Sequence, residues 1–365
     1  METEKIQEKI QEIEEELKTI PYHKGTEHHI GKLKASLAKL RNEIIEKKTK
    51  GGGKGEGFAI RKEGDATVVL VGFPSVGKST ILNELTNAES KVASYPFTTL
   101  SVIPGMLDFQ GAKIQVLDVP GLIQGAAMGK GRGKEVLSVV RGADLLFIIA
   151  SAQEPNTFEI MENELYLAGV RLNEKKPQVI IEKRLRGGLE ISAPQKSISL
   201  QTIKTLAQEF GILNAKISFR DKLSADQLID AFMGTRVYVP TMKVISKIDL
   251  IPKDSLKKLQ KTFPKDCLFI SVPEGIGTEE LKKRIFEKLN FVRIYLRREL
   301  GAQPAKDPLI CKKGVTIFEA ASKISKNLAS EIKGAKIKGP SASHPNQLVG
   351  LRHQLLDGDD IFFIK

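Results

Sequence analysis

The sequence predicts an α/β fold in which a mostly parallel sheet carries helices on both faces. Two observations support this prediction. From residue 67 onward, apolar runs alternate with amphipathic segments, and that alternation is typical of a parallel sheet covered on both sides. The first run, residues 67–73, is followed directly by a glycine-rich turn and a helical pattern, which is the local order of a strand, a tight turn and a helix.

Length and composition set the outer limits. The chain has 365 residues, 41% of them hydrophobic, which is enough for two or three domains with their own cores. Its longest apolar stretches, such as residues 145–150, are much shorter than the roughly 20 residues of a membrane-spanning helix, and the N-terminus is too charged for a signal peptide. We therefore expect a cytoplasmic protein without membrane contact. Cys267 and Cys311 stand far apart without a CxxC pattern, so neither a disulfide framework nor a zinc site is predicted.

Residues 1–60 are predicted to form a helical hairpin and a linker. Two stripes of aliphatic residues recur at helical spacing: Ile6, Ile10, Ile13 and Leu17, and then Leu33, Leu37, Leu40 and Ile44. Pro21 and Gly25 lie between the stripes, so two antiparallel helices should pack stripe to stripe and leave an exposed basic flank on the second helix. Residues 48–57, rich in glycine and lysine, are typical of a flexible linker.

The α/β core is predicted in two parts, residues 61–172 and residues 238–289. Residues 173–237 interrupt the alternation and are predicted to form an inserted α+β subdomain, with a β-hairpin that turns at Gly187 and Gly188 and two helical segments after it. Residues 290–365 contain two strand patterns around one helix, which predicts a small β-rich domain.

The turn after the first predicted strand has the composition of a phosphate-binding loop. Gly72, Gly77, Lys78 and Ser79 satisfy the pattern G-x-x-x-x-G-K-[ST], between a strand and a helix. The glycines allow backbone N–H groups to converge on phosphate oxygens, and the helix N-terminus adds its positive end. In such a loop Lys78 would neutralise the β- and γ-phosphates, and Ser79 would hold Mg²⁺.

A second pattern lies 46 residues past Gly72, at the end of another hydrophobic run. Asp118 there can hold Mg²⁺ through water, and the Gly121 N–H can contact the γ-phosphate, so that loss of this phosphate would release the loop. The glycine-rich segment that follows is suited to rearrangement. Thr98 and Thr99 lie between the two motifs and offer hydroxyls for a further metal contact.

The sequence Ser246-Lys247-Ile248-Asp249 follows a further buried run. A carboxylate at Asp249 can accept both N–H donors of the guanine edge, which adenine does not supply, and Lys247 can lie along the base. The order of this motif after the two phosphate motifs predicts guanine nucleotides over adenine nucleotides.

The ordered motifs resemble those of the TRAFAC GTPases, and most of all those of the Drg branch (developmentally regulated GTP-binding proteins) of the Obg family. The segments GFPSVGKST, YPFTTL, DVPGLIQGA and GRGKEVLSVVRGADLL are similar to that branch almost residue for residue. The resemblance covers nearly the whole chain and implies a GTPase domain with an insertion, an N-terminal helical hairpin and a C-terminal TGS domain of the β-grasp type.

The resemblance also implies roles for individual residues. Those implied to bind the nucleotide are Gly72, Pro74, Ser75, Val76, Gly77, Lys78, Ser79, Thr80, Ser246, Lys247, Asp249, Ser271, Val272 and Pro273. Those implied in catalysis are Lys78, Thr99 and Gly121, and those implied at Mg²⁺ are Ser79, Thr99 and Asp118. GTP and GDP are the expected ligands.

Three departures from the family pattern have consequences. Ser246 replaces an asparagine, which removes an amide that braces the loop and the nucleotide. Val272 precedes Pro273 where an alanine usually offers its N–H to guanine, and the added methyl groups crowd the base, so weaker binding is expected. Leu122 replaces the glutamine that orients water in many GTPases, so intrinsic hydrolysis should be slow. Stimulation by K⁺ stays open, since Ser75 stands where an asparagine usually accompanies it.

Charge suggests the partner. The net charge is +13, and residues 290–365 carry 13 Lys or Arg against 7 acids, which favours RNA or a ribosome. The hairpin is expected to contribute, together with Arg293, Arg297, Arg298, Lys333, Lys336 and Lys338. An activating protein partner is also conceivable. The alternatives are an RNA-binding scaffold with a degenerate nucleotide pocket and, on the phosphate loop alone, an ATP-dependent kinase.

Overall fold

The computed structural model describes residues 2–47, 62–86, 93–94, 101–119, 139–192, 197–299 and 303–365. Two compact units make up the chain. The sheet unit consists of Ile60–Gly121, Gly142–Phe158 and Pro240–Lys365, and the hairpin unit consists of Met1–Ala59, Leu122–Arg141 and Glu159–Val239. Within the described ranges, no helix has the length and apolar character needed to cross a membrane.

The helices of the described ranges are α1 (Glu2–Thr19), α2 (Glu27–Lys47), α3 (Lys78–Thr86), α4 (Thr157–Leu167), α5 (Leu200–Glu209), α6 (Ala225–Met233), α7 (Lys253–Thr262), α8 (Thr278–Lys288), α9 (Ile317–Ile324) and α10 (Lys326–Glu331). The strands are β1 (Ala66–Gly72), β2 (Ala93–Ser94), β3 (Ser101–Phe109), β4 (Ala112–Asp118), β5 (Leu145–Ser151), β6 (Val170–Leu172), β7 (Val179–Lys183), β8 (Leu189–Ser192), β9 (Ala215–Phe219), β10 (Val237–Val239), β11 (Thr241–Ser246), β12 (Leu268–Phe269), β13 (Phe291–Leu296), β14 (Leu309–Lys312), β15 (Gly334–Lys338), β16 (Gln347–Val349) and β17 (Asp359–Ile364).

The sheet unit is built on a seven-stranded sheet with the order β12-β11-β5-β1-β4-β3-β2. The five strands from β12 to β4 are parallel, and β3 and β2 add an antiparallel edge. This confirms the predicted mostly parallel α/β fold. Every residue of β1 and β5 is buried, because helices cover both faces of the sheet, and strands covered on both faces are apolar without alternation.

The strand register brings the predicted motifs to one edge of this sheet. Leu70 of β1 pairs with Asp118 of β4, and Ser246 of β11 pairs with Ser151 of β5. Since these strands are parallel, their carboxyl ends lie side by side, which is where open α/β sheets bind ligands.

The C-terminal part of the sheet unit is a second sheet of five strands, in the order β14-β13-β17-β15-β16. Only β13 and β17 pair in parallel, and helices α9 and α10 supply buried residues to its core. The sequence indicated the first strand, the last strand and one helix of this domain. The strands β14, β15 and β16 were missed because they are only three to five residues long.

In the hairpin unit, a three-stranded sheet has the order β7-β9-β8, so the predicted β-hairpin at Gly187 and Gly188 is wrong. The two strands do not pair with each other; β9 lies between them, antiparallel to β7 and parallel to β8. The reason lies in the turn, whose polar groups bond to the residues before and at the start of β9. The Gly188 N–H donates to Asn214 Oδ1 at 2.8 Å, and the Arg184 N–H donates to the Asn214 carbonyl at 2.9 Å.

The second helix of the hairpin, α2, packs against this inserted subdomain. Ala35 is fully buried in a core to which α5, β9 and α6 contribute. The expected exposed basic flank is therefore wrong in part, since several cations of α2 are paired: Lys34 with Asp226, Lys39 with Glu209 and Arg41 with Glu14. Packing against the insertion, which the stripe of leucines alone did not indicate, brings acidic side chains to that flank.

Candidate nucleotide-binding site

The turn between β1 and α3 needs its first glycine for close packing. A Cβ on Gly72 would lie 2.7 Å from the Ile149 carbonyl oxygen of β5, which is nearer than a carbon atom can approach. Further along, Ser75 and Gly77 have φ angles of 63° and 92°, in the left-handed region that favours glycine. These two residues reverse the chain so that it enters α3 at Lys78.

Lys78 is buried inside this turn. Its Nζ donates hydrogen bonds to the carbonyl oxygens of Gly72, at 3.0 Å, and of Phe73, at 2.9 Å. Burial lowers the pKa of Lys78 below its ordinary value, and the charge of Asp118 opposes that shift in part. A buried ammonium group whose charge is disfavoured gains most from an anionic ligand, which agrees with the predicted contact to phosphate.

Asp118 ends β4 and faces Ser79. The Ser79 hydroxyl donates to Asp118 Oδ2 at 2.6 Å. Oδ1 of the same carboxylate is buried and has no hydrogen-bond partner among the residues that the structure describes. A buried, unpartnered carboxylate oxygen beside a serine hydroxyl is a suitable donor set for Mg²⁺, which prefers oxygen ligands and retains several waters. Ser79 and Asp118 therefore have the chemistry needed to hold Mg²⁺.

The loop after β11 comes close to the phosphate-binding turn. Lys247 has a φ of 59°, and its Cε lies 4.0 Å from the position that a Cβ on Gly77 would take, so the end of its side chain is near the turn, and its contact to the base stays a prediction. Asp249 is exposed, and its Oδ1 accepts a 2.6 Å hydrogen bond from the fully buried Ser271 hydroxyl. The Ser271 hydroxyl thus fixes the orientation of the Asp249 carboxylate through Oδ1.

Ser246 fulfils a role that the sequence assigned to the missing asparagine. Its hydroxyl lies 2.6 Å from the Val76 carbonyl oxygen in the phosphate-binding turn and 3.1 Å from the Ala150 carbonyl oxygen in β5. The hydroxyl connects the loop after β11, the phosphate-binding turn and the strand between them, so the expected loss of the loop brace is wrong, whereas the weaker nucleotide binding stays a prediction. Pairing with backbone carbonyls leaves no sequence signal, because any residue can supply the acceptor.

The remaining predicted residues divide into three groups. Val272 is half-buried and packs against the main core of the sheet unit, which gives its methyl groups a packing partner. Pro74 and Pro273 lie in the same loops and Thr80 lies in the first turn of α3, and the roles of these three residues stay predictions. Thr99, Gly121 and Leu122 lie outside the described residues.

A parallel sheet with the predicted phosphate-binding turn, a carboxylate suited to Mg²⁺ and Asp249 on one edge is the arrangement of a GTP-binding protein of the P-loop class. Family models agree with this class: one described as "50S ribosome-binding GTPase" matches residues 67–184, one for the C-terminal region of that domain matches residues 186–291, and one for the TGS domain matches residues 292–365.

Full-length relatives define the family. The chain is 46% identical to an uncharacterized GTP-binding protein of Methanocaldococcus jannaschii, over 97% of this chain and 91% of the relative. It is 41% identical to developmentally-regulated G-protein 3 of Arabidopsis thaliana and 38% identical to human developmentally-regulated GTP-binding protein 2, each over 99% of both chains. The chain belongs to the family of developmentally regulated GTP-binding proteins. Among solved structures, the YchF GTPase of Schizosaccharomyces pombe is 15% identical with a TM-score of 0.42, covering 83% of this chain and 99% of that one.

Proposed function

We propose that the protein is a molecular switch that binds Mg²⁺ and GTP, hydrolyses GTP slowly and acts on ribosomes or another RNA assembly. The observation that best supports nucleotide binding is the arrangement of Lys78, Ser79 and Asp118, where a buried cation and a carboxylate with an unused oxygen face the same turn. Both groups lack a complete set of partners within the described protein, and a magnesium–triphosphate complex supplies the opposite charges.

Ser79 and Asp118 would hold the magnesium ion, Ser79 directly and Asp118 through water, with Thr99 as a further ligand. Bound Mg²⁺ supplies charge neutralisation for the β- and γ-phosphates. Lys78 stabilises negative charge on the same oxygens, and the N–H groups of the turn orient them. The Gly121 N–H would detect the γ-phosphate.

Slow hydrolysis follows from Leu122, because an aliphatic side chain cannot accept or donate a hydrogen bond to the attacking water. Without a group that orients water, the protein remains in its triphosphate form long enough to act as a timed switch. A partner that supplies the missing group would accelerate hydrolysis.

Guanine specificity rests on Asp249, which Ser271 holds in place. Replacing Asp249 with Asn removes an acceptor for the two N–H donors of guanine, so discrimination of GTP from other nucleoside triphosphates should fall by about tenfold or more. Calorimetric titration with GTP, ATP and XTP measures this. Unchanged GTP binding in the Asp249→Asn protein would remove the base-reading role.

An RNA partner is supported by the C-terminal domain, although fewer cations are available than the sequence suggested. Arg293 pairs with Asp357, and Arg297 pairs with Asp360. Arg298, Lys333 and Lys338 are exposed and form no ion pair within the described residues, so these three are the best candidates for phosphate contacts. Binding through them should weaken steeply with salt.

Co-sedimentation with ribosomes tests the proposed partner. The protein is loaded with GDP, GTP or a non-hydrolysable GTP analogue, and each mixture is centrifuged at several salt concentrations. We expect association to depend on the nucleotide and to fall as salt rises. Equal pelleting in all nucleotide states would contradict the switch, and failure to pellet at low salt would contradict the ribosome as partner while leaving GTP binding intact.

A further inference from the structure

The hairpin unit contains a cavity of about 200 Å³ that no nucleotide motif uses. Helices α1, α2, α4 and α6 and the segments around β6 and β10 form its walls. Its polar lining consists of Lys34, Arg41, Tyr166, Arg171, Asp226, Asp230 and Arg236. Four of these seven side chains carry positive charge at neutral pH, and two carry negative charge.

The deepest charged groups of the cavity are not balanced. Arg171 donates to Asp230 through Nε at 2.6 Å and through Nη2 at 2.8 Å, and Arg236 donates to Asp230 through Nε at 2.9 Å. The side chains of Arg171, Asp230 and Arg236 are 4%, 5% and 8% exposed. Two guanidinium groups therefore share one carboxylate, and one positive charge is left over in a place where an unpaired charge is costly.

Hydrogen-bond donors show which group carries the surplus. Arg171 uses Nη1 as well, donating to the Tyr166 and Val170 carbonyl oxygens, and its guanidinium stacks 3.8 Å from the centre of the Tyr166 ring. Arg236, by contrast, has no hydrogen bond from Nη1 or Nη2 to any part of the protein that the structure describes. Arg236 lines the cavity, and its two terminal nitrogens are unused donors within the described protein.

The mouth of the cavity adds two further cations. Lys34 pairs with Asp226 at 2.9 Å and Arg41 pairs with Glu14 at 2.7 Å, but all four side chains are 26% to 44% exposed. Surface pairs of this kind are weak and exchange partners readily. With Asp226, Asp230 and Glu14 counted, the group of four cations still exceeds its acids by one.

We propose that this cavity is a phosphate-binding site, in which Nη1 and Nη2 of Arg236 hold the phosphate oxygens and Lys34 and Arg41 approach from the mouth. A guanidinium group presents two parallel N–H donors that match two oxygens of a phosphate group. The volume admits a phosphate and a group attached to it, so the ligand is either free phosphate or the terminal phosphate of an RNA chain. The site shares no residue with the phosphate-binding turn and does not depend on the proposed GTP switch.

Calorimetric titration of inorganic phosphate into full-length protein tests the site. The background carries Lys78→Ala, so that the phosphate-binding turn does not contribute, and chloride replaces phosphate in the reference titration at equal ionic strength. We expect saturable binding that Arg236→Gln weakens by about tenfold or more, since hydrogen bonds to charged groups contribute roughly 1.5–3 kcal/mol. Absence of saturable binding up to about 10 mM phosphate would overturn the proposal.

Variants at the mouth keep the test independent of folding. Lys34→Gln and Arg41→Gln change half-exposed side chains, and each should weaken phosphate binding about two- to fivefold. Lys204→Gln, on the exposed side of α5, removes the same charge away from the cavity and should change nothing. Equal affinity in the Lys34, Arg41 and Lys204 variants, or equal binding of acetate and phosphate, would overturn the assignment.

Competition distinguishes the two sources of phosphate. An RNA oligonucleotide with a 5′-phosphate should displace inorganic phosphate if the natural ligand is an RNA end, whereas the same oligonucleotide with a 5′-hydroxyl should not. If neither competes while inorganic phosphate binds, the site is one for free phosphate. Both results support a phosphate site, and displacement by both oligonucleotides would contradict recognition of the terminal phosphate.

Discussion

Two aspartates of the sheet unit lie at opposite edges of the seven-stranded sheet, one at the end of a strand and one before the start of a strand, and their surroundings differ. Asp118, at the carboxyl end of β4, is 1% exposed and has one oxygen without a partner in the described structure. Asp144, just before β5, accepts hydrogen bonds from Lys312 Nζ at 3.0 Å, Lys62 Nζ at 3.2 Å and the Thr67 N–H at 3.1 Å.

This difference indicates that Asp118 is suited to bind a ligand, whereas Asp144 is suited to stabilise the fold. Asp144 joins the C-terminal domain to the GTPase sheet, and nearby Asp65 accepts from Lys323 in the same way. Burial by itself would raise the pKa of Asp144, but the Thr67 N–H and the two lysines outweigh it, so the pKa lies below its ordinary value. Asp118 has no such set of protein partners, and its unused oxygen is what a metal–nucleotide complex requires.

The largest expected effect is that of Lys78→Ala. Removal of the buried ammonium group should lower GTP and GDP affinity by about 100-fold or more, because charge-assisted contacts to two phosphates are lost together. Isothermal titration calorimetry measures the change. Lys113→Ala, an exposed lysine of β4, is the matched control and should bind as the unaltered protein does. Retained affinity in Lys78→Ala would place the phosphates elsewhere.

The Asp118→Asn variant tests whether Asp118 serves ligand binding. We expect Mg²⁺-dependent hydrolysis to fall by about 10²–10³-fold, while the thermal midpoint stays the same or rises, because a buried charge with an unpartnered oxygen is removed. Turnover and thermal unfolding are measured on the same preparation. A large loss of stability would show that Asp118 has the structural role that we assign to Asp144.

The Asp144→Asn variant tests whether Asp144 stabilises the fold. Stability should fall by about 1–2 kcal/mol, since the two lysines are half-exposed and each ion pair is screened, and GTP affinity should not change. Urea unfolding measures the first quantity and calorimetry the second. Asp254→Asn is the control, since the Asp254 side chain is 92% exposed.

The pH dependence of Asp144→Asn sharpens this result. Because the folded pKa of Asp144 lies below its ordinary value of 3.8, its contribution is present above pH 3.8 and is lost as the pH falls through the folded pKa. The stability of Asp144→Asn should therefore decrease less steeply below pH 3.8. Parallel pH profiles for the two proteins would rule out the ion pairs as the source of stability.

The smallest expected effect concerns Ser246. Ser246→Ala removes the hydroxyl whose single proton bonds to the Val76 carbonyl oxygen, so GTP affinity should fall about three- to tenfold, with kcat nearly constant. Ser246→Asn, which restores an amide, should recover binding, and Ser255→Ala on the surface of α7 should have no effect. Unchanged affinity in Ser246→Ala would mean that the hydroxyl does not hold the turn.

The sequence predicted those parts of the molecule whose structure and proposed role depend on residues close together in the chain. The strand–turn–helix around Lys78 was predicted because an apolar run, a turn with two glycines and a helical pattern follow one another within a few residues. Asp118 and Asp249 were found for a similar reason, since each follows a buried strand whose parallel neighbours bring it to the same edge.

Contacts between distant segments could not be predicted. Lys312 and Asp144 are 168 residues apart, and nothing in either neighbourhood indicates the other. The prediction of a β-hairpin in the insertion was wrong for the same reason. Two strand patterns that flank a glycine pair indicate a hairpin, but β9, which comes later in the chain, lies between β7 and β8 in the sheet. Ser246 was misjudged because its acceptors are backbone carbonyls, which every residue possesses.

A calorimetric titration of the purified protein with GTP and with ATP, each with equal Mg²⁺, tests nucleotide binding and recognition of guanine together. We expect one saturable site for GTP, no binding of ATP at the same concentrations, and loss of the GTP site in Lys78→Ala. Equal binding of the two nucleotides would contradict base reading by Asp249, and absence of binding for both would contradict the assignment of the turn between β1 and α3 as a nucleotide site.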